Sequence, residues 1–182
     1  FKTMFDYKLE PEVYSFHLLN ELIKLPKRRS DQFPIHIKLD TGMHRLGFTP
    51  DEIPELIERL KKQTAVIPRS VFSHLVGSDA EQFDSFTRRQ IEAFERASQE
   101  LQEAFPHKIL RHICNTAGIE RYPGAQFDMV RLGIGLYGID PFTNKIIHNV
   151  STLKTTILQI HDVPKEETVG YSRKGHLERD SA

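Results

Sequence analysis

The fold of this chain turns on Ile35-His36-Ile37-Lys38-Leu39-Asp40-Thr41-Gly42. Its apolar side chains at 35, 37 and 39 alternate with His36 and Lys38, the two-residue period of a strand with unlike faces. Asp40-Thr41-Gly42 then ends the run in a turn. Upstream, Val13 and Tyr14 end a short strand and Ser15 is placed to cap a helix. Phe16, Leu19, Leu22 and Ile23 follow at helical spacing until Pro26. Downstream, Ile53, Leu56, Ile57 and Leu60 fall on one helical face. Pro54 is tolerated only in the first turn of that helix, which sets its cap near Asp51.

Further on, Ser70-Val71-Phe72-Ser73-His74 reads as a short buried strand. A polar loop leads to a long helix from about Asp84 to Ala104, with Ile91, Phe94, Leu101 and Phe105 on one stripe. Leu110-Arg111-His112-Ile113-Cys114 is a third strand and Met129-Val130-Arg131 a further short one. Strands alternating with amphipathic helices predict βαβ units around a parallel sheet, the α/β class. Beyond Pro141 the pattern changes. No helical stripe follows Asn144, Leu153 to Val163 reads as a strand rich in Thr, Ile and Leu, and another strand begins at Thr168-Val169-Gly170-Tyr171. The predicted organisation is an α/β domain over 1–145 and the start of an all-β domain over 146–182.

Composition excludes several classes of function. The 25 basic and 25 acidic side chains give a formal net charge of zero, which lacks the electrostatic footprint of a nucleic-acid binder. A single cysteine cannot form an internal disulfide and suits a reducing compartment. No apolar run nears the ~20 residues that cross a bilayer, and the first ten residues do not read as a signal peptide. A cytoplasmic protein without membrane or nucleic-acid partners is expected. The Asn149-Val150-Ser151 sequon is then a chance match.

Chemistry-bearing residues collect just past the predicted strands: Lys38, Asp40 and Arg45, then His74, then Asn115 and Thr116, then Arg131 and Gly133. In a (β/α) barrel the strand C-termini share one mouth, so these four groups would converge there. Each alone reads as a solvated loop residue; four in succession point to an α/β enzyme. Gly133-Ile134-Gly135-Leu136-Tyr137-Gly138 matches G-x-G-x-x-G, but Asp140-Pro141 stops any following helix and no acidic residue lies between Asp140 and Asp162. That argues against a dinucleotide site and leaves a backbone cradle for phosphate. His112-x-Cys114 lacks a second ligand pair for zinc and reads as a strand residue beside a small buried thiol.

Three segments together resemble the alanine racemases, pyridoxal 5'-phosphate (PLP) enzymes with a (β/α)8 barrel followed by a β domain. They are Ile37 to Phe48 (IKLDTGMHRLGF), Asn115-Thr116-Ala117 with Phe127 to Gly138 (FDMVRLGIGLYG), and Glu167-Thr168-Val169-Gly170-Tyr171-Ser172. The resemblance implies the C-terminal part of such a barrel and then the start of the all-β domain. It further implies a racemase interconverting L- and D-alanine for peptidoglycan synthesis, with a small amino acid as substrate. It makes Tyr171 the base for the L-enantiomer, His74 its hydrogen-bonding partner, and Arg131 the group facing the cofactor's pyridine nitrogen. Arg45 would lie near the cofactor phenolic oxygen and the substrate carboxylate, with Lys38, often carbamylated in the family, holding it. Thr116 and the backbone of Gly133 and Ile134 would bind the phosphate. The family's tyrosine serves the partner subunit's site, so a homodimer is implied. The Gly170-to-Gly175 variant also resembles racemases fused behind a cell-wall peptide ligase.

Departures from the family pattern are His44 for glycine, Cys114 for alanine and Ser172 for glycine. The family's cofactor lysine, in a K-A-x-A-Y-G-like segment, has no counterpart in this chain. A complete (β/α)8 barrel takes ~250 residues, so the 182 residues are expected to be an interior excerpt that has no racemase activity alone. A racemase of another small amino acid and a non-catalytic PLP-binding barrel are the alternatives, though the latter ends with its barrel.

Overall fold

The computed structural model describes residues 2–24, 32–143, 145–148 and 152–182. They form two compact units, Phe1–Val150 and Ser151–Ala182. Pro26 and the Asn149-Val150-Ser151 sequon lie outside the described residues. The first unit contains α1 (Lys2–Asp6), β1 (Glu12–Val13), α2 (Phe16–Lys24), β2 (Phe33–Lys38), α3 (Ile53–Lys61), β3 (Val66–Phe72), α4 (Asp84–Glu103), β4 (Leu110–His112) and α5 (Thr116–Arg121). The four strands pair in parallel and in chain order, β1-β2-β3-β4. Each crossover thus moves one strand along in the same direction, the path of a barrel wall, whereas a doubly wound sheet reverses its order.

Alternation in β2 sorts the two faces of this sheet. Ile35 and Ile37, with Val71 of β3, are completely buried and pack with Leu19 and Leu22 of α2, Leu56 and Leu60 of α3, and Phe94 and Leu101 of α4. Each such side chain contributes about 1.5–3 kcal/mol when fully buried, so helix attachment is set on this face. The opposite face carries the rows His36–Ser70 and Lys38–Phe72–His112. Just before these rows the register of β2 and β3 slips by one residue: Ile35 pairs with Pro68 but His36 pairs with Ser70, leaving Arg69 as an extra residue in β3.

Helix starts follow local chemistry. Ser15 Oγ accepts the Leu18 N–H at 3.3 Å and caps α2. Pro54 is the second residue of α3, and the lead-in turn Pro50–Glu52 begins at Thr49, whose N–H donates to the Glu52 carboxylate at 2.8 Å. The cap of α3 falls at Glu52, next to the expected Asp51, and a 3-10 turn that starts from Thr49 leads into it. The segment Met129–Arg131 is not a strand. It follows β4 through Asp128 N–H to Arg111 O and Arg131 N–H to Cys114 O, both 3.0 Å. The Arg111 N–H bonds the Asp128 carboxylate and no backbone carbonyl of that segment, so the ladder is broken.

Two expectations for the second unit are corrected. No strand forms over residues 153–162, whose Leu153 and Leu158 are 99% and 95% exposed. An apolar alternation becomes a strand only where a neighbour takes its N–H and C=O groups, and among the described residues only Val163 finds one, bridging to Ser181. β5 (Thr168–Val169) pairs antiparallel with β6 (Gly175–His176), and Tyr171 starts the 3-10 turn between them; it is not a strand residue.

Beyond β2 the chain returns on itself tightly. Phe48 N–H donates to Lys38 O at 2.9 Å and Asp40 N–H to Phe48 O at 2.8 Å. Gly47 makes this approach feasible: its φ is +130°, and a Cβ there would lie 2.5 Å from the Asp40 nitrogen and the Leu39 carbonyl carbon. Gly47→Ala is expected to lower stability by about 3 kcal/mol. Gly124→Ala, with nothing within 4 Å of the added carbon, should change it by less than about 0.5 kcal/mol. Urea unfolding of the two variants checks the pair.

Candidate active site

Arg131 is the hub of the strand ends. It sits past β4, where its backbone bond to Cys114 fixes the approach of the chain. The guanidinium then turns inward and donates to acceptors at the ends of two strands. Nη1 bonds His112 Nδ1 at 2.6 Å and His112 O at 3.3 Å, while Nη2 bonds Ser73 O at 2.6 Å, Ile113 O at 3.4 Å and His74 Nδ1 at 3.4 Å. Its Nε has no hydrogen-bond partner among the described residues. Phe72 forms a floor: Arg131 lies 5.2 Å and Lys38 Nζ 4.7 Å from its ring centre, and the His112 ring stacks on it at 5.0 Å.

Lys38, the last residue of β2, is only 5% exposed. Burial pulls its ammonium below the ordinary lysine range; Arg131 and Arg45 add to this, and Glu12 and Asp40 oppose it. His74, two residues past β3, is half-buried, and burial followed by Arg131, Lys38 and Arg45 lowers its pKa as well. Arg45, in the return loop, is exposed, but its charge is felt at both groups. The structure thus brings Lys38, Arg45, His74 and Arg131 into one basic cluster.

A second group of predicted residues meets beside it. Asn115 caps α5, accepting the Gly118 N–H at 2.9 Å, and its amide donates to Leu75 O at 3.2 Å, tying α5 to the loop after β3. Thr116 then begins α5, and its Oγ1 accepts the N–H groups of Gly133 at 3.0 Å and Gly135 at 3.2 Å. A Cβ on Gly135 would meet the Thr116 methyl at 2.7 Å, so only glycine lets the loop close over this hydroxyl. Ile134 lies between, at the head of the 3-10 turn Ile134–Tyr137 that stands where a dinucleotide-binding motif would need a helix. Tyr171 belongs to the second unit and is 98% exposed.

Sequence reasoning missed four residues of this site's surroundings. His112, read as a plain strand residue, receives Arg131; Ser70, His36 and Glu10 continue from it. Their signal was present in the alternation, since His36, Ser70 and His112 occupy the face that the buried Ile and Val side chains leave free. Burial, then the Arg131 charge, pushes the His112 imidazole down to about 4. Cys114 is buried against the carbonyls of Tyr122 and Ala125, and burial pushes its thiol up to about 11. Among the described residues no group of three or more His, Cys, Asp or Glu is placed to hold a metal, and no helix is long and apolar enough to cross a membrane.

A chain-ordered parallel sheet with helices on one face, and a basic cluster beside a hydroxyl–glycine loop at its strand ends, defines part of a (β/α) barrel protein with its site at the mouth. Residues 1–141 match the family model described as alanine racemase, N-terminal domain, and the chain belongs to that family. The alanine racemase of Treponema denticola is 32% identical over 181 residues, which cover 96% of this chain and 48% of that protein. The Aeromonas hydrophila alanine racemase is 38% identical over 151 residues, 80% of this chain and 40% of the relative. A solved alanine racemase of Clostridium difficile 630 superimposes with a TM-score of 0.78 at 26% identity, over 98% of this chain and 48% of that one. The chain therefore spans about half the length of the curated relatives it matches, and its partial barrel is the fold expected from sequence.

His112 supplies a test of the site's electrostatics. Its folded pKa of about 4 lies below the ordinary 6.5, so the unfolded chain binds a proton first as pH falls. Stability is fully present above pH 6.5 and is lost progressively toward pH 4, by about 3 kcal/mol in all. In an NMR titration the His112 ring should remain neutral at pH 6, and a midpoint at or above 6.5 contradicts the described burial.

Proposed function

We propose that the complete protein containing this chain is a PLP-dependent alanine racemase. The observation that carries this reading is the Arg131 guanidinium. Its two terminal nitrogens are held by strand-end acceptors, with Nε left over, inside a basic cluster of a chain belonging to the alanine racemase N-terminal family. Residues 1–145 are read as barrel and 146–182 as the start of the β domain.

The residues fit the cofactor. Thr116 Oγ1 uses its lone pairs on two glycine N–H groups and keeps its O–H to donate to a phosphate oxygen, with the backbone of Gly133 and Ile134 beside it. When bound, PLP supplies the electron sink that acidifies the substrate's α-proton. Arg131 would face the pyridine nitrogen with a donor that does not give up its proton and would leave that nitrogen unprotonated. Side reactions that need a stronger sink are thereby suppressed. Arg45 orients the substrate carboxylate and the cofactor phenolic oxygen. Lys38, whose lowered pKa favours the free amine, is suited to carbamylation, which would turn it into an anion that holds Arg45.

Racemisation needs a base on each face of the α-carbon. Tyr171 Oη would take or return the proton of the L-enantiomer, and a neutral His74, whose Nδ1 accepts from Arg131, would assist by donating Nε2–H to the phenolate. Contribution of Tyr171 to the partner subunit's site makes the working form a homodimer. The product, D-alanine, suits peptidoglycan synthesis in the cytoplasm.

The complete protein, incubated with PLP and alanine in heavy water, should exchange the α-proton of both enantiomers, read by proton NMR. Exchange of serine but not alanine would reassign the substrate, and exchange of no amino acid would leave a binding barrel without catalysis. Tyr171→Phe should lower racemisation by about 100-fold or more, with PLP absorbance retained.

A further inference from the structure

A single line of hydrogen bonds crosses the polar face of the sheet, away from the strand-end mouth. Arg131 Nη1 bonds His112 Nδ1 at 2.6 Å, and His112 Nε2 bonds Ser70 Oγ at 3.2 Å. Ser70 Oγ bonds His36 Nδ1 at 2.6 Å, and His36 Nε2 bonds Glu10 Oε2 at 2.9 Å. The line takes one residue from each of β4, β3 and β2 and ends just before β1. There the other Glu10 oxygen accepts from Arg69 Nη1 at 2.6 Å.

The two ends fix the direction of every proton. A guanidinium only donates, so His112 Nδ1 accepts and its proton is on Nε2. A carboxylate only accepts, so His36 Nε2 carries hydrogen. Between them His112 donates to Ser70, and the Ser70 hydroxyl donates to His36 Nδ1. The strong suppression of His112 protonation agrees with the same pattern.

We propose that Glu10 is a remote positioning residue. As the acceptor that ends this line, it sets the tautomer of His36, so that the Ser70 hydroxyl donates to His36 Nδ1 and its oxygen receives His112 Nε2–H, which holds the ring that Arg131 meets at Nδ1. Arg69 holds the Glu10 carboxylate in place from the surface. The effect on turnover rests on the racemase reading, in which Arg131 faces the cofactor; the tautomer lock does not.

The test uses the complete protein with labelled histidine. In the cofactor-free wild type, the His36 ring should show one tautomer by nitrogen NMR, protonated at Nε2 and bare at Nδ1, with its signals assigned against His36→Gln. Glu10→Ala removes the terminal acceptor and should give a mixture of tautomers at His36. Glu10→Gln, which can still accept through its amide oxygen, should restore the single one. In the PLP-loaded enzyme, Glu10→Ala should lower kcat about fivefold, the equivalent of one ordinary hydrogen bond, with KM within about twofold and Glu10→Gln close to wild type. If Glu10→Ala fails to fold, Glu10→Met, of similar length but without the carboxylate, removes the same acceptor and should give the same tautomer mixture at His36. A wild-type His36 protonated at Nδ1, or a Glu10→Ala protein with one His36 tautomer, overturns the proposal. A tautomer mixture with unchanged kcat also overturns it, since the line would then not act on the site. Absence of racemase activity in the wild type would defeat the functional reading while leaving the tautomer result to be judged separately.

Discussion

A permanently charged guanidinium at the ends of buried strands has to be met by acceptors, and Arg131 organises the first unit around that demand. It draws on Ser73 O, Ile113 O and both the carbonyl and the ring of His112. Those groups are available because β3 and β4 end there, so their last carbonyls point past the sheet and not into a neighbouring strand. The charge in turn depresses protonation of His112, His74 and Lys38. One buried cation thus fixes the geometry of the strand ends and the charge state of their neighbours together.

The two faces of the sheet divide the labour. Ile35, Ile37 and Val71 spend their side chains on helix attachment, and the opposite rows are free to carry polar chemistry. Phe72 mediates between the two roles. It is large enough to floor the site, and its ring face tolerates the cations of Lys38 and Arg131 above it. The Thr116–glycine loop lies at the same strand ends because Asn115 fastens α5 to the carbonyl of Leu75.

The strand and helix alternation was legible because burial is periodic. Ile35 to Leu39 reads at a period of two, and Ile91, Phe94 and Leu101 read at the period of α4. The basic cluster was legible from position, one polar group after each strand. His112 was not, since a histidine on the inward face of a strand looks the same in sequence whether it packs or relays a hydrogen bond. The run from Leu153 to Val163 misled for the opposite reason: its alternation describes a willingness to pair, and pairing depends on a neighbour that the pattern does not contain. Tyr171 was found by its motif, while its place in a turn depended on positive φ at Ser172 and Arg173, which composition does not reveal.

The extra residue in β3 acts as a parity shift. Up to Pro68 the strand is in step with β2, its side chains alternating on the count that begins at Phe33. On that count, Ser70 and Phe72 would be directed at the helices and Val71 into the polar interior. Arg69 adds one to the count, and the remainder of the strand changes sides. A hydroxyl and an aromatic floor arrive on the inner wall, and a valine arrives against the helices. Arg69 itself is left at the surface beside Glu10. One inserted position therefore lets a strand begin as a packing element and finish as part of a site.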